Sequence, residues 1–511
     1  MSTALYRRYR PETFGDVIGQ EHVTEPLMQA LRTGRVNHAY LFSGPRGCGK
    51  TTSARILARC LNCEQGPTPD PCGECESCVA LARMPGGSYS EIDADREKAL
   101  CSIDFYAADI GLCPKLRSTS PGTFVYRIDG GFSGGQAEFE QQVCPRGELL
   151  PAEADGAPVS FKVTMNQRDT SATFSTSALL YYHFSRYFDT SIRVPVAVYR
   201  SMDRKQHTQR VTARGIEWTE GNSSLKMIHA AWQELATAEQ NPGSYPATSE
   251  LFTGDYGQIY GILLRIHGSR FGAELNGTRE SGWGVGQNID FQQTAPYLAL
   301  RSERPLADAI ASGLELAKQN PKLRKAMPRD PSALQMIYWM QGLTEITLLD
   351  FIFSQQDRIG NIDYEEIWRW ADSEGVHSSE HRPPAETAPA AQLFRRIRLN
   401  DNDAGGRTRY VNYTRKTGML EKIHHYNPAT YQRLMALNAD FAAQGELYNY
   451  LKHSFGLSER QFNGIVTNTG DAAAILRAAC ESGKLRFDLK PDDYLRKGET
   501  GDSKADCATG L

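Results

Sequence analysis

The sequence predicts an α/β P-loop segment carrying a zinc module, followed by a larger α+β domain in two lobes. Three observations support this. A short apolar run, 39–43, leads into a glycine-rich turn and then into helical periodicity over 51–61. Four closely spaced cysteines follow that helix. Beyond residue 95, alternating strand-like runs give way to long apolar helical stretches. The 511 residues leave room for about three domains at roughly 150 residues each. With 40% hydrophobic and 23% charged residues, the composition is that of a globular chain. Lys+Arg 57 against Asp+Glu 60 leaves a net charge of -3, so no whole-molecule field draws the chain onto nucleic acid, and direct contact with it would need a local basic patch. An uninterrupted apolar run of membrane-spanning length is missing. The start, Tyr6-Arg7-Arg8-Tyr9-Arg10-Pro11, is charged where a signal peptide needs apolar residues. The expected setting is cytoplasmic, with no membrane partner.

The turn after the first strand is Gly44-Pro45-Arg46-Gly47-Cys48-Gly49-Lys50-Thr51, a full G-x-x-x-x-G-K-T between strand and helix. Gly44, Gly47 and Gly49 let backbone N–H groups converge on a phosphate, and the helix N-terminus adds its positive end. Lys50 is placed to neutralise the β/γ-phosphates of ATP, and the Thr51 hydroxyl to hold Mg²⁺. Of the 11 cysteines, six lie between Cys48 and Cys78. Cys63, Cys72, Cys75 and Cys78 follow C-x8-C-x2-C-x2-C, with Gly66-Pro67 and Gly73 in the turns. Four thiolates at that spacing predict a closed, structural Zn²⁺ site. Cys113 and Cys144 flank a strand-rich region; in an oxidising compartment they could pair, and in a cytosolic chain they are expected to be buried thiols.

Residues 1–95 resemble the N-terminal start of the gamma/tau subunit of bacterial DNA polymerase III, the AAA+ motor of the clamp loader. The resemblance rests on Tyr6-Arg7-Arg8-Tyr9-Arg10-Pro11, Val17-Ile18-Gly19-Gln20-Glu21-His22, His38-Ala39-Tyr40-Leu41-Phe42-Ser43-Gly44, the phosphate loop and the four-cysteine module. It implies clamp-loader or other replication subunits as partners. In that family, Glu91-Ile92-Asp93-Ala94 leads on to a strand ending in an acidic pair that activates water. This chain contains no Asp-Glu dipeptide. The AAA+ unit is therefore incomplete, able to bind ATP but poorly placed to hydrolyse it.

After residue 95 the order of elements changes. Runs such as 123–128 predict strands. The alternating run 159–165 predicts a strand with Lys162 in its middle, a position that ordinarily lies on the solvated face. An amphipathic helix is predicted over 177–188 and a further strand over 194–199. A lysine strand, a helix and a strand in that order are those of a kinase N-lobe. A long apolar helix over 336–353 then runs into Asp357-Arg358-Ile359-Gly360-Asn361. There Asp357 is placed to take a hydroxyl proton and Asn361 to hold Mg²⁺ or Mn²⁺. Asp401 or Asp403, in Asp401-Asn402-Asp403-Ala404-Gly405-Gly406, is the expected second metal ligand, although that stretch also reads as a plain turn.

This ordered set distantly resembles the atypical kinases of the secretory-pathway, Golgi casein kinase type, over about 150–490. The resemblance implies an ATP-dependent phosphotransferase acting on an unidentified hydroxyl-bearing substrate. The predicted helix holds no Glu to pair with Lys162, which leaves Glu138 or Glu140 as its expected partner. The expected organisation is a clamp-loader-like segment (1–95), a strand-rich N-lobe-like region (96–200), an insertion or hinge region (201–335), a helical C-lobe-like region (336–497) and a flexible tail (498–511). Residues 378–390 are expected to form a flexible loop. Two other readings stand beside this one. The chain is a non-catalytic clamp-loader subunit whose C-terminal region is a binding module, or the join near Asp95 brings together two unrelated segments.

Overall fold

The computed structural model describes residues 13–17, 20–36, 40, 42, 50–63, 65–72, 83–147, 151–165, 173–245, 251–253, 255–266, 268–386, 388–406, 411–503 and 506–508. The chain is mixed α and β, and among the apolar clusters of the described residues the two largest differ greatly in size. The smaller gathers Phe14 and Val17 with Leu27 and Leu31 of α1 (Glu21–Arg32) and Ile56, Leu57 and Cys60 of α2 (Lys50–Asn62). Tyr40 and Phe42, from the predicted strand before the P-loop, pack against it. Both helices are amphipathic, and each buries one apolar stripe in this cluster.

The larger cluster begins at Met84 and runs to Leu489. Its first helix, α3 (Glu91–Cys101), starts at a capping box: the Ser90 hydroxyl accepts from the Asp93 N–H, and the Asp93 carboxylate accepts from the Ser90 N–H. The resemblance placed a lead-in to a strand here, and the structure places a helix instead. The reason is local and tertiary at once. The cap starts the helix, and Arg186 then clamps Asp93 with two bonds, at 3.0 and 2.8 Å. Arg186 belongs to α4 (Thr176–Phe188), the helix expected over 177–188.

Five antiparallel strands follow: β1 (Ile110–Pro114), β2 (Gly122–Arg127), β3 (Val159–Val163), β4 (Ala197–Asp203) and β5 (Gln258–Arg265), in the order β1-β2-β3-β5-β4. Val159, Phe161 and Val163 of β3 enter the core, so Ser160 and Lys162 take the other face. Gly261 of β5 leaves room for the Phe161 ring, whose atoms come within 2.6 Å of where a Cβ would sit. The expected boundary at 200/201 falls inside β4. Residues 201–335, expected to be an insertion or hinge, supply β5, an interior strand of the sheet between β3 and β4. They also supply α5 (Lys226–Gln240), which buries Trp232 and Leu235 in the same core. Sequence order hides this, because β5 pairs with β3 and β4 across long connections.

The second half is built around α6 (Ala333–Phe353), capped by Ser332 and buried along most of its length. In the same core lie α7 (Pro428–Ala443) and α8 (Glu459–Glu481); α6 packs beside α8, and α8 packs against α7. A smaller antiparallel sheet joins β6 (Ser269–Arg270), β7 (Asp363–Ala371), β8 (Val376–Ser379) and β9 (Gln392–Arg398). The loop expected over 378–390 thus begins inside β8, where Ser378 pairs with Arg369 and Ser379 with Trp368.

Cys113 and Cys144, expected as thiols, form a disulfide, and so do Cys480 and Cys507. The second bridge corrects the expected flexible tail. Cys507 is held to α8, its carbonyl accepts from the Tyr431 hydroxyl at 2.7 Å, and the Ser503 N–H donates to the Phe487 carbonyl at 3.2 Å. No described helix is long and apolar enough to cross a membrane.

Candidate functional site

Lys162 is 7% exposed, not on the solvated face of its strand. Its ammonium is paired with Asp401 at 3.1 Å and with Asp403 at 3.2 Å. These carboxylates stand in the turn after β9, a segment with its own internal bonds. The Asn402 amide donates to the Leu399 carbonyl at 2.8 Å, and the Asn400 amide donates to Asp363 at 2.7 Å. The Asp403 carbonyl accepts from the Phe174 N–H at 2.7 Å, which joins the turn to the entry of α4. Glu140, one expected partner of Lys162, instead pairs with Arg210 and Arg214. Glu138 is spent on the Gly135 N–H.

The loop after α6 reaches the same place. Ser354 ends the helix in the left-handed conformation, and the Gln355 carbonyl oxygen of the side chain accepts from the N–H groups of Gln356 and Asp357. Arg358 turns inward. It is buried and bonds both Asp350 oxygens, the Asn402 side-chain oxygen at 2.8 Å and the Asp401 carbonyl at 3.2 Å. Asp350 also accepts from the Tyr181 hydroxyl at 2.5 Å. From the other side, Arg270 donates to Asp363, to the Gly360 carbonyl and to the Asn361 side-chain oxygen. Its remaining nitrogen lies 3.4 Å from Asp401. Asn361 in turn donates to the Asp357 carbonyl at 2.9 Å. Lys162, Asp401, Asp403, Asn361 and Asp357 are therefore brought together by one continuous set of contacts, although Lys162 and Asp401 are 239 residues apart.

The electrostatics follow from this crowding. Burial works against the charge of Lys162, but Asp403 and Asp401 outweigh it and raise its pKa above the ordinary lysine value. Burial likewise opposes the charge of Asp401, while Lys162, Lys115 and Arg270 hold its carboxyl well below the usual carboxylate range. Asp357 is exposed and lies on the other side of the balance. Its pKa is raised, first by partial desolvation of the carboxyl and then by the negative charges of Asp401 and Asp403. A carboxyl pushed up by neighbouring carboxylates is suited to accept a proton. Lys115 is pushed down to about 7, by burial first and by Lys162 second.

The donor types are those a nucleotide polyphosphate and its divalent cation need, two carboxylates and an amide oxygen together with lysines and an arginine, and here they pair with one another. Among the described residues there is no group of three or more His, Cys, Asp or Glu side chains able to hold a metal by itself. Sequence reasoning missed Lys115, Arg270 and Asp363. No spacing rule links them to Lys162, because strand pairing alone brings them close.

The N-terminal candidates are placed only in part. Lys50 and Thr51 are the first residues of α2, as expected for a P-loop helix. Gly44, Gly47, Gly49 and the side chains of Lys50 and Thr51 lie outside the described residues, as do Cys75 and Cys78. Cys63 is buried, and its sulfur accepts from the Cys72 N–H at 3.4 Å. The neighbouring Cys60 is different. Burial, then Asp70 and Cys63, push its thiol up to about 12, and it donates to the Pro69 carbonyl at 3.6 Å.

Comparison with known proteins identifies the beginning of the chain. Residues 19–101 match a family described as DNA polymerase III, delta subunit. Over 92 residues the chain is 68% identical to the DNA polymerase III subunit gamma/tau of Mycobacterium tuberculosis, which is 18% of this chain and 16% of that protein. It is 50% identical over 91 residues to the tau subunit of Bacillus subtilis, again 18% and 16%. Against the tau subunit of Escherichia coli it is 53% identical over 90 residues, 18% of this chain and 14% of that one. The chain thus spans about a sixth of the length of the curated relatives it matches. Its N-terminal segment is a DNA polymerase III gamma/tau-like start.

Proposed function

We propose that this is an ATP-binding protein in which a gamma/tau-like P-loop segment is joined to a kinase-like domain that transfers phosphate from ATP to a hydroxyl. One observation carries the second half of this reading: the ion-paired meeting of Lys162, Asp401 and Asp403 beside the Asp357–Asn361 loop, from segments far apart in sequence. Lys162 grips the phosphates. Asp357, its pKa raised, accepts the proton of the attacking hydroxyl. Asp401, Asp403 and Asn361 are the residues to hold Mg²⁺ or Mn²⁺, whose positive charge lowers the cost of gathering phosphate oxygens here. Arg270 and Arg358 keep the two acidic segments in register. In the N-terminal segment, Lys50 and Thr51 bind a second ATP with its Mg²⁺, and Cys63, Cys72, Cys75 and Cys78 hold one structural Zn²⁺. Partners of the clamp-loader kind suit that segment, as does a cytoplasmic setting.

The test uses the full chain carrying Lys50→Ala, which removes the P-loop contribution. Incubated with γ-labelled ATP and Mg²⁺ or Mn²⁺, it should label protein or lipid hydroxyls. Asp357→Ala should lose about 100-fold or more of the transfer rate while keeping nucleotide binding, and Lys162→Ala should weaken both. Transfer that survives Asp357→Ala at the full rate sinks this assignment.

A further inference from the structure

Lys115 follows β1 directly and has no part in the motifs that pointed to the site. Strand register gives it a place there. Pro114 pairs with Thr123 and Gly122 pairs with Lys162, so Lys115, Gly122 and Lys162 form one row across three strands. The row is closed by the Lys115 N–H, which donates to the Gly122 carbonyl at 2.9 Å. Residues in one row share a face of the sheet, and this is the face opposite the core-facing Phe161.

The stem of Lys115 crosses Gly122 at close range. A Cβ on residue 122 would lie 3.2 Å from Lys115 Cδ and 3.6 Å from Cε, so any larger residue would push the stem aside. Its ammonium rests 4.8 Å from the centre of the Phe124 ring, on the same face. Among the described residues it forms no ion pair of its own, in contrast to Lys162 with its two carboxylates. The two lysines thus share one face of the sheet, and burial together with Lys162 raises the cost of charging Lys115. A polyanion lying between them removes that cost.

We propose that Lys115 is a second polyphosphate-gripping residue, which brackets the phosphate chain of a nucleoside triphosphate together with Lys162, and that Gly122 is required for its reach. This rests on the phosphotransferase reading for the identity of the ligand, but not for the geometry of the grip. The selectivity that follows is for the number of phosphates: the longer the chain, the more it gains from a second cation.

The test compares the Lys50→Ala protein with the same protein carrying Lys115→Met, Lys115→Arg or Gly122→Ala. Tripolyphosphate and AMP are titrated calorimetrically as probes, and KM for ATP is measured in the transfer assay. Lys115→Met should weaken tripolyphosphate about tenfold or more, the loss of one charged contact, and leave AMP within about twofold. Lys115→Arg should restore most of the affinity. Gly122→Ala should reproduce the loss with the lysine still present. Tripolyphosphate affinity equal in the parent and Lys115→Met proteins, or a parent protein that does not bind tripolyphosphate, overturns the proposal. Tripolyphosphate binding that depends on Lys115 in a protein without phosphate transfer leaves the grip standing and sinks the phosphotransferase reading instead.

Discussion

At the scale of single residues, Arg358 decides more than its neighbours. Burial opposes its charge, but Asp350 keeps it protonated, and its remaining nitrogens reach Asn402 and the Asp401 carbonyl. One guanidinium therefore joins helix α6, the loop carrying Asp357 and the turn carrying Asp401. Arg358→Met leaves Asp350 buried with only the Tyr181 hydroxyl as partner, and it should cost about 3 kcal/mol in a denaturant melt. Arg358→Lys keeps a charge but not the planar fork, and it should fall between the two while still slowing transfer. Asp357, Arg358 and Asn361 were legible in the sequence because a short motif in a loop keeps its spacing when it folds. Lys162 was legible as a strand lysine, although its burial was not, since alternation shows only that a residue faces away from its neighbours. Arg270 and Lys115 were illegible because their partners lie 131 and 47 positions away and meet only through strand pairing.

At the scale of elements, α3 shows what holds the two kinds of sequence together. Asp93 faces Arg186, Glu97 accepts from the Tyr182 hydroxyl at 2.5 Å and pairs with Arg83 at 3.0 Å, and Leu100 enters the large core. Burial disfavours the Asp93 charge, but the Arg186 bonds and charge outweigh it and lower its pKa below the ordinary carboxylate value. A carboxylate with a depressed folded pKa contributes stability above its unfolded pKa and loses it as pH falls through the folded one. Asp93→Asn should therefore destabilise the protein by about 3 kcal/mol near neutral pH. The gap between variant and parent, read as melting temperature against pH, should narrow below about pH 4. A gap that stays constant down to pH 2 would show that the pair does not titrate in this way. The capping signature at Ser90 and Asp93 was present in the sequence, but the resemblance to a strand-forming family drew the reading elsewhere. The helices over 176–188 and 333–353 were recovered because their periodicity was long enough to outweigh local ambiguity.

At the scale of the whole molecule, one large apolar cluster and a small N-terminal one share the chain; the Cys113–Cys144 bridge sits in a separate small cluster with Tyr126 and Phe139, and Cys480 packs against the large one. The Cys480–Cys507 bridge closes a sequence separation of 27 and restrains the last described residues. By loop entropy such a bridge is worth about 3 kcal/mol, so Cys507→Ser should lower the denaturation midpoint of the oxidised protein and remove part of its response to a reducing agent. An unchanged response would show that the bridge does not form in solution. The α+β class and the P-loop helix were readable from periodicity, but the joining of 201–335 to the main sheet was not, because an interior strand carries no mark of which distant strands it will pair with. Helix α3 has a consequence for the history of the chain. The match to the family described as DNA polymerase III, delta subunit, extends through residue 101, yet the helix it ends on is mortised into the larger cluster and its neighbours at Asp93, Glu97 and Leu100. The line where ancestry changes and the line where the molecule can be parted are different lines. A cut at the first would part α3 from Arg186 and Tyr182, to which it is bonded, whereas a cut ahead of Met84 would leave both the large cluster and the small N-terminal one whole.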